Sequence, residues 1–323
     1  MDVLSEVLRE VRLTGAVYFD VRAGAPWVAT TPGATMICPA VMPGFEHVIV
    51  FHIMLEGYAW AQLADESQAP VRLEIGDGVI FARGDAHSMA SEAGRHAVAN
   101  PEMYRRETLG SLPYVLREFG GGGEGARFAC AFLGCDIRPY NPVIEALPRM
   151  LAVRGTSAAG LLTFDLMRTA LEESQSPRSG GEAILARTSE LMFLHAVRQY
   201  IDGLPQKSSG WLAALRDSHI GAALRAMHSR PAFPWTLDSL GREVGLSRTG
   251  FSERFTELMG MPAMQYLSKW RLQIAAGLLD SERTSIARVA ADVGYDSQAS
   301  FNRAFKRQVG MPPGAWRKRR RTS

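Results

Sequence analysis

The sequence predicts an α+β multidomain protein with a β-rich N-terminal domain, a helical connector and an all-α C-terminal domain holding two helix-turn-helix units. Three observations carry this. The chain of 323 residues has 36 Lys+Arg and 33 Asp+Glu, a net charge of +3, but the charge is segregated. Trp211 to Ser323 holds 18 Lys+Arg against 9 Asp+Glu, so that segment is +9 and the remainder −6. The basic part also contains a repeat of about fifty residues, and the hydrophobic period changes along the chain from that of strands to that of helices. A length of 323 residues suggests about two domains, and 46% hydrophobic residues excludes wholesale disorder. No apolar run reaches the roughly 18 residues of a membrane span, and the N-terminus lacks a signal-peptide layout, so a cytoplasmic protein without a membrane partner is expected. Three cysteines (Cys38, Cys130, Cys135) are an odd number without zinc-finger spacing, which excludes a disulfide framework.

The elements follow in chain order. Val3, Leu4, Val7, Leu8 and Val11 form one face of an opening helix. Residues 16 to about 138 read mainly as strands. Val48 to Leu55 is an apolar run bounded by Pro43-Gly44 and Gly57, and Val71, Leu73 and Ile75 alternate with Arg72 and Glu74 before the Gly76-Asp77-Gly78 turn into Val79-Ile80-Phe81. Tyr114 to Phe119 and Arg127 to Leu133 flank the glycine-rich run at 120–125, which lacks a following Lys-Ser/Thr and reads as a flexible turn rather than a phosphate loop. Residues 161–173 and 183–202 read as helices separated by a Ser/Pro/Gly loop. The apolar arc of the second, Ile184 to Ile201, is wide enough to need cover on two sides, by the β domain and by a second copy of the chain in a homodimer. These boundaries give a domain at 1–140, a dimerising connector at 141–205 and, after a polar linker, a domain at 213–323.

Within 213–323 the duplication is explicit. Val244-Gly245 precedes Phe251, Phe255 and Gly260-Met261-Pro262, and Val293-Gly294 precedes Phe301, Phe305 and Gly310-Met311-Pro312. Each copy predicts a short helix, a glycine turn and a second helix capped by Ser247 or Ser297, giving units at about 237–259 and 286–309. Paired helix-turn-helix units in a basic segment point to double-stranded DNA, with the second helix of each entering the major groove. Off the phenylalanine faces lie Arg248, Thr249, Ser252 and Glu253 on the first reading helix, and Gln298, Ser300, Asn302, Arg303 and Lys306 on the second. These side chains donate to and accept from base edges and phosphates. Between the units, Pro262 to Leu279 predicts a long helix with a Tyr266, Trp270, Ile274 and Leu278 stripe, holding the readers in groove segments about 34 Å apart. The terminal run Arg317-Lys318-Arg319-Arg320-Arg321 reads as a solvated, frayed tail or, on DNA, as a sequence-independent, salt-sensitive contribution to binding.

The stretch V-G-Y-D-S-Q-A-S-F-N-R-A-F-K-R-Q-V-G-M-P-P resembles the C-terminal signature of AraC/XylS-family transcription regulators, and Asp217 to Arg317 is similar to their DNA-binding domain. The resemblance implies base contacts by Thr249, Ser252 and Glu253 in the first unit and by Gln298, Asn302 and Arg303 in the second, with the Thr249-Gly250 pair a departure from the usual pattern. Upstream, F-H-I-M-L-E-G and, about twenty residues on, G-D-G-V-I-F-A-R-G-D-A-H resemble the cupin-type sensor barrel of one subgroup of these regulators, as do the opening L-S-E-V-L-R-E-V-R-L-T-G-A-V-Y-F and the A-P-W at Trp27. This implies a double-stranded β-helix barrel with a ligand pocket, in a regulator controlled by an effector or redox signal and meeting RNA polymerase if it activates. The alternatives are a degenerate barrel serving only dimerisation and a metal-dependent cupin oxygenase tethered to DNA; no enzymatic activity is expected.

Cupin enzymes hold a metal through two His and a carboxylate on one motif and a His on the next. Gly76, Gly84 and His87 match the second motif, with Ala82 where proline is usual. In the first motif, one register leaves His52 and Glu56 as ligands and the other leaves neither. On one extended strand these two stand about 13 Å apart, too far to share an ion. His52 and His87, with His47 as a more distant candidate, are therefore the pocket residues and the candidate site for a divalent metal, while Cys38, Cys130 and Cys135 are candidates for redox sensing.

Overall fold

The structure is a computed structural model that describes all residues except 1, 12, 101–103, 105–113, 137–138, 176–177, 281–283 and 323. Its internal contacts divide the chain into two units that interleave in sequence, Leu13–Asp136 with Leu147–Gly203, and Met1–Arg12 with Ile137–Ala146 and Leu204–Ser323.

The first unit is built on ten described strands: β1 (Thr14–Gly24), β2 (Val28–Thr31), β3 (His47–Glu56), β4 (Ala59–Leu63), β5 (Val71–Leu73), β6 (Gly78–Phe81), β7 (His87–Ala90), β8 (Tyr114–Gly120), β9 (Gly125–Cys135) and β10 (Leu151–Val153). One sheet runs β10-β6-β3-β9-β1-β8 and the other β2-β7-β4-β5. All ladders are antiparallel except β1 with β8. Phe19, Val21, Val48, Val50, Met54, Leu63, Met89, Phe128 and Phe132 share the core between the sheets.

The continuous apolar run of β3 has a direct cause. Val48, Val50 and Met54 face that core, while Phe51 packs edge-on against Phe193 at 6.2 Å on α5 (Gly181–Gly203). Covered on both faces, the strand has no polar side to alternate. The α5 helix pairs with α4 (Ala158–Gln175) and lies against β1, where Tyr18 donates its hydroxyl to the Leu185 carbonyl. Helix α2 (Ala34–Val41) buries Ala34, Ile37, Cys38 and Val41; its interior Pro39 hides it from a periodicity reading.

The glycine run 120–125 is held rather than flexible. Gly121 N donates to Gly24 O at 3.1 Å and Gly123 N to Ala25 O at 2.8 Å. At Gly120, with φ +98°, a Cβ would stand 2.1 Å from the Gly24 carbonyl oxygen. Close backbone approach, not freedom, demands glycine at Gly120.

The second unit comprises α1 (Val3–Glu10), α3 (Pro142–Ala146), α6 (Trp211–Ala214), α7 (Ser218–Ser229), α8 (Leu237–Glu243), α9 (Arg248–Met259), α10 (Ala263–Leu279), α11 (Ile286–Asp292), α12 (Gln298–Val309) and α13 (Pro313–Thr322). The opening amphipathic helix α1 packs on α3, α7 and α10. Buried Gln273 on α10 holds both added segments: its Nε2 donates to Glu10 O at 3.1 Å, and Tyr140 N donates to its Oε1 at 2.9 Å.

Two expectations are corrected here. The buried face of α10 holds Tyr266, Leu267, Trp270, Leu272, Gln273, Ala275, Ala276 and Leu279, whereas Leu278 is exposed. The helix is enclosed on more sides than one stripe describes. The basic run lies in α13, whose Trp316 is fully buried. Arg317 donates to Leu279 O at 3.0 Å and Thr284 O at 2.7 Å, satisfying carbonyls at and just beyond the end of α10 rather than fraying into solvent.

Candidate nucleic-acid interface and effector cavity

The two reading helices, α9 and α12, are built alike. Ser247 Oγ accepts from Gly250 N at 3.1 Å and Ser297 Oγ from Ser300 N at 3.2 Å, so each helix starts on a capped turn. Gly245 (φ +72°) and Gly294 (φ +81°) make the left-handed step that separates each reader from the helix before it. Phe251, Phe255 and Met259 are buried on α9, and Phe301, Ala304, Phe305 and Val309 on α12. Burial of those faces turns the remaining side chains outward.

Arg248, Thr249 and Glu253 are exposed and Ser252 is half-buried; Gln298, Arg303 and Lys306 are exposed and Asn302 is half-buried. Neither Arg303 nor Lys306 forms an ion pair among the described residues. Ser300 is committed elsewhere, since its Oγ donates to Ser297 O at 2.8 Å inside the cap. Arg254 on α9 is also held back, by Asp217 at 2.7 Å.

In the β unit, a cavity of about 170 Å³ lies among β1, β2, β3, β7 and β9. Phe19, Val21, Met89 and Phe128 line it, with Thr31, Tyr104, His52 and Cys130 as polar groups. Among the described residues that line it, none carries a formal charge. Fully exposed Val98 sits at its rim, which opens it to solvent.

The structure brings His52 and His87 together: their Nε2 atoms are 2.8 Å apart. His87 Nδ1 lies 2.8 Å from the Asp85 carbonyl and must therefore donate. Its Nε2 is then an acceptor, His52 Nε2 the donor, and His52 Nδ1 the acceptor for the Cys130 thiol at 2.8 Å. The chain runs Cys130 to His52 to His87 to Asp85 O, each ring neutral. Register explains the first contact, because His52 on β3 pairs directly with Cys130 on β9. His47 stands apart: its Nε2 donates to Ala82 O at 2.8 Å, and it does not line the cavity.

These residues do not fit a cupin metal centre. Glu56 is exposed and bonded to Arg127 at 3.2 Å, and no group of three His, Cys, Asp or Glu able to hold an ion occurs among the described residues. Two imidazoles already hydrogen-bonded to each other leave a divalent ion short of donors.

Burial sets the protonation states. It holds the His52 imidazole well below its ordinary range and lowers His87 to about 4. His228 in the helical unit, stacked on Trp270, falls to about 3 for the same reason. The thiols move the other way, Cys38 up to about 11 and Cys130 and Cys135 well above their usual range, all through burial first. A buried, protonated thiol holds little standing thiolate, so reaction at any of the three needs a base beside the sulfur.

The histidine shifts predict an acid response. The unfolded chain takes up protons near pH 6.5 while the folded histidines stay neutral, so stability is complete above 6.5 and is lost as pH falls toward the folded values. For His87 the loss reaches about 3 kcal/mol near pH 4. Urea unfolding between pH 7 and 4 should show the decline, and His87→Gln should remove part of its slope; an unchanged slope would contradict neutral burial.

Comparison with known proteins agrees with both halves. Residues 2–202 match the family model described as Cupin, and residues 240–319 match one described as a helix-turn-helix domain. The chain is similar to a putative AraC-like transcription regulator of Streptomyces lividans (27% identical over 320 residues, 98% of each chain) and to the HTH-type transcriptional regulator AlkR of Acinetobacter baylyi (27% over 325 residues, 98% of this chain and 99% of the other). Among solved structures, the DNA-binding domain of AdpA in complex with a target DNA is 26% identical, covering 33% of this chain and 95% of that one, with a TM-score of 0.32. A cupin domain joined to paired helix-turn-helix units defines a DNA-binding transcription regulator. The chain belongs to the cupin family matched over residues 2–202 and is a regulator of the AraC/XylS type. No helix among the described residues is long and apolar enough to cross a membrane.

Proposed function

We propose that this regulator acts by binding rather than catalysis: a small uncharged effector enters the β-unit cavity and changes how the reading helices engage an operator. The cavity carries this reading. It is enclosed by apolar side chains, opens at Val98 and offers the Thr31 and Tyr104 hydroxyls, which lie 3.2 Å apart, to orient a ligand. A sensor at 1–140, a connector at 141–205 and a DNA-binding domain at 213–323 remain the proposed division of labour, with Arg248, Thr249, Ser252 and Glu253 of α9 and Gln298, Asn302, Arg303 and Lys306 of α12 facing DNA. Ala29 lines the cavity, so Ala29→Phe should abolish both ligand-induced thermal stabilisation and the ligand's effect on operator affinity. A full response in that variant would overturn the reading.

The assembly we propose is a homodimer through α4 and α5. Leu161, Leu162, Ile184 and Leu191 are exposed along these two helices, apolar side chains that a second copy would cover. Sedimentation at micromolar concentration should give a dimer, and Ile184→Glu with Leu191→Glu a folded monomer. A monomeric native chain would refute the assembly.

A further inference from the structure

We propose that Cys130 is a covalent modification site for small, uncharged electrophilic alkenes, α,β-unsaturated carbonyl compounds that enter the cavity. The inference rests on the reading of that cavity as the effector site. Three features of the structure carry it. First, Cys130 is the cavity's only cysteine: Cys38 and Cys135 do not line it, and the Cys38 thiol is turned to the Phe45 carbonyl at 3.2 Å. Second, the Cys130 sulfur is 2.8 Å from His52 Nδ1, and that imidazole is backed through its other nitrogen by His87, which is itself anchored on the Asp85 carbonyl. A proton accepted at Nδ1 leaves His52 a double donor whose Nε2–H already points at the His87 lone pair, the arrangement by which an oriented second group supports a general base. Third, a volume of about 170 Å³, with no formal charge among its described lining residues, admits an uncharged ligand of about benzene size.

The step balances without an added oxidant or reductant. The thiol proton passes to His52 Nδ1 as sulfur bonds to the β-carbon and the alkene π pair moves toward the carbonyl oxygen. The resulting enolate takes one proton at its α-carbon, directly or through solvent from His52, leaving a saturated thioether and a neutral imidazole. Because the resting thiol is protonated, selectivity comes from holding the alkene beside the Cys–His pair rather than from a standing thiolate.

The test treats the full-length protein with methyl vinyl ketone and maps adducts by peptide mass spectrometry. Cys130 should be modified about tenfold or more faster than Cys38 and Cys135. Its rate should saturate with reagent and be slowed by 2-butanone, the saturated analogue, while a maleimide bearing a bulky dye should spare it. His52→Gln should slow the reaction; should that variant misfold, saturation and 2-butanone competition in the native chain decide the matter alone. Equal labelling of the three cysteines, or a rate linear in reagent and indifferent to 2-butanone, would overturn the proposal. Operator affinity is read alongside. An adduct on Cys130 that leaves affinity unchanged supports the modification site and removes the effector reading, whereas a response to 2-butanone with no adduct does the reverse.

Discussion

Phe301→Ala should destabilise the helical unit by about 3–5 kcal/mol, the range for truncating a buried aromatic side chain. Phe301 is fully buried on α12 and packs edge-on against Tyr295 at 5.4 Å and beside Phe305 at 5.6 Å, which in turn meets Trp316. Removing its ring leaves a cavity where α11, α12 and α13 converge, and the loss is a large share of a domain's stability. Denaturant unfolding followed by tryptophan fluorescence reads it directly, because Trp270 and Trp316 lie in the same unit. Exposed Gln298 on the same helix is the control, and its alanine variant should stay within about 0.5 kcal/mol of native. A Phe301 variant as stable as the Gln298 variant would mean that α12 does not anchor through this face.

The second large effect is on DNA. Arg303→Ala should weaken operator binding by about 1–3 kcal/mol, roughly 5- to 150-fold, and relax preference at one base pair. Phe301 and Phe305 fix the inner face of α12, so Arg303 projects between them on the outer face, exposed and with no carboxylate partner among the described residues. Titration against single-base operator variants at several salt concentrations distinguishes the roles. Uniform weakening with a salt slope reduced by about one would reassign Arg303 to phosphate, and unchanged affinity would remove it from the interface.

The C-terminal architecture was legible because its signals are local and doubled. The serine caps, left-handed glycines and phenylalanines four residues apart each recur at a fixed offset, and the structure places them as that pattern requires. What escaped depended on partners distant in sequence. The pattern of α1 shows an apolar face but not that α10 covers it, and nothing near Gln273 announces that its amide ties Glu10 and Tyr140 to that helix. Charge density made the terminal basic run look solvated, and Lys318 and Arg319 are exposed, but buried Trp316 and the two carbonyls bound by Arg317 give α13 a structural task that charge does not announce.

In the β unit, strand geometry alone excluded a shared metal for His52 and Glu56, and the structure keeps them apart. The pairing of His52 with Cys130 depends on the β3–β9 register, set between residues 78 positions apart. A one-residue slip would turn Cys130 to the other face, the one Cys135 already takes five residues further along the same strand. Its signal in the sequence was only that both residues lie in strand-forming runs.

Two reading helices on one chain should engage one stretch of duplex together. Selecting bound duplexes from a random-sequence pool with the full-length protein, then mapping guanine-N7 methylation interference, tests this. The expected result is an enriched sequence with two major-groove patches on one face of the duplex, about 10 base pairs apart per α9–α12 pair. No enrichment over the starting pool, or a single patch that survives disruption of either reading helix, would contradict it.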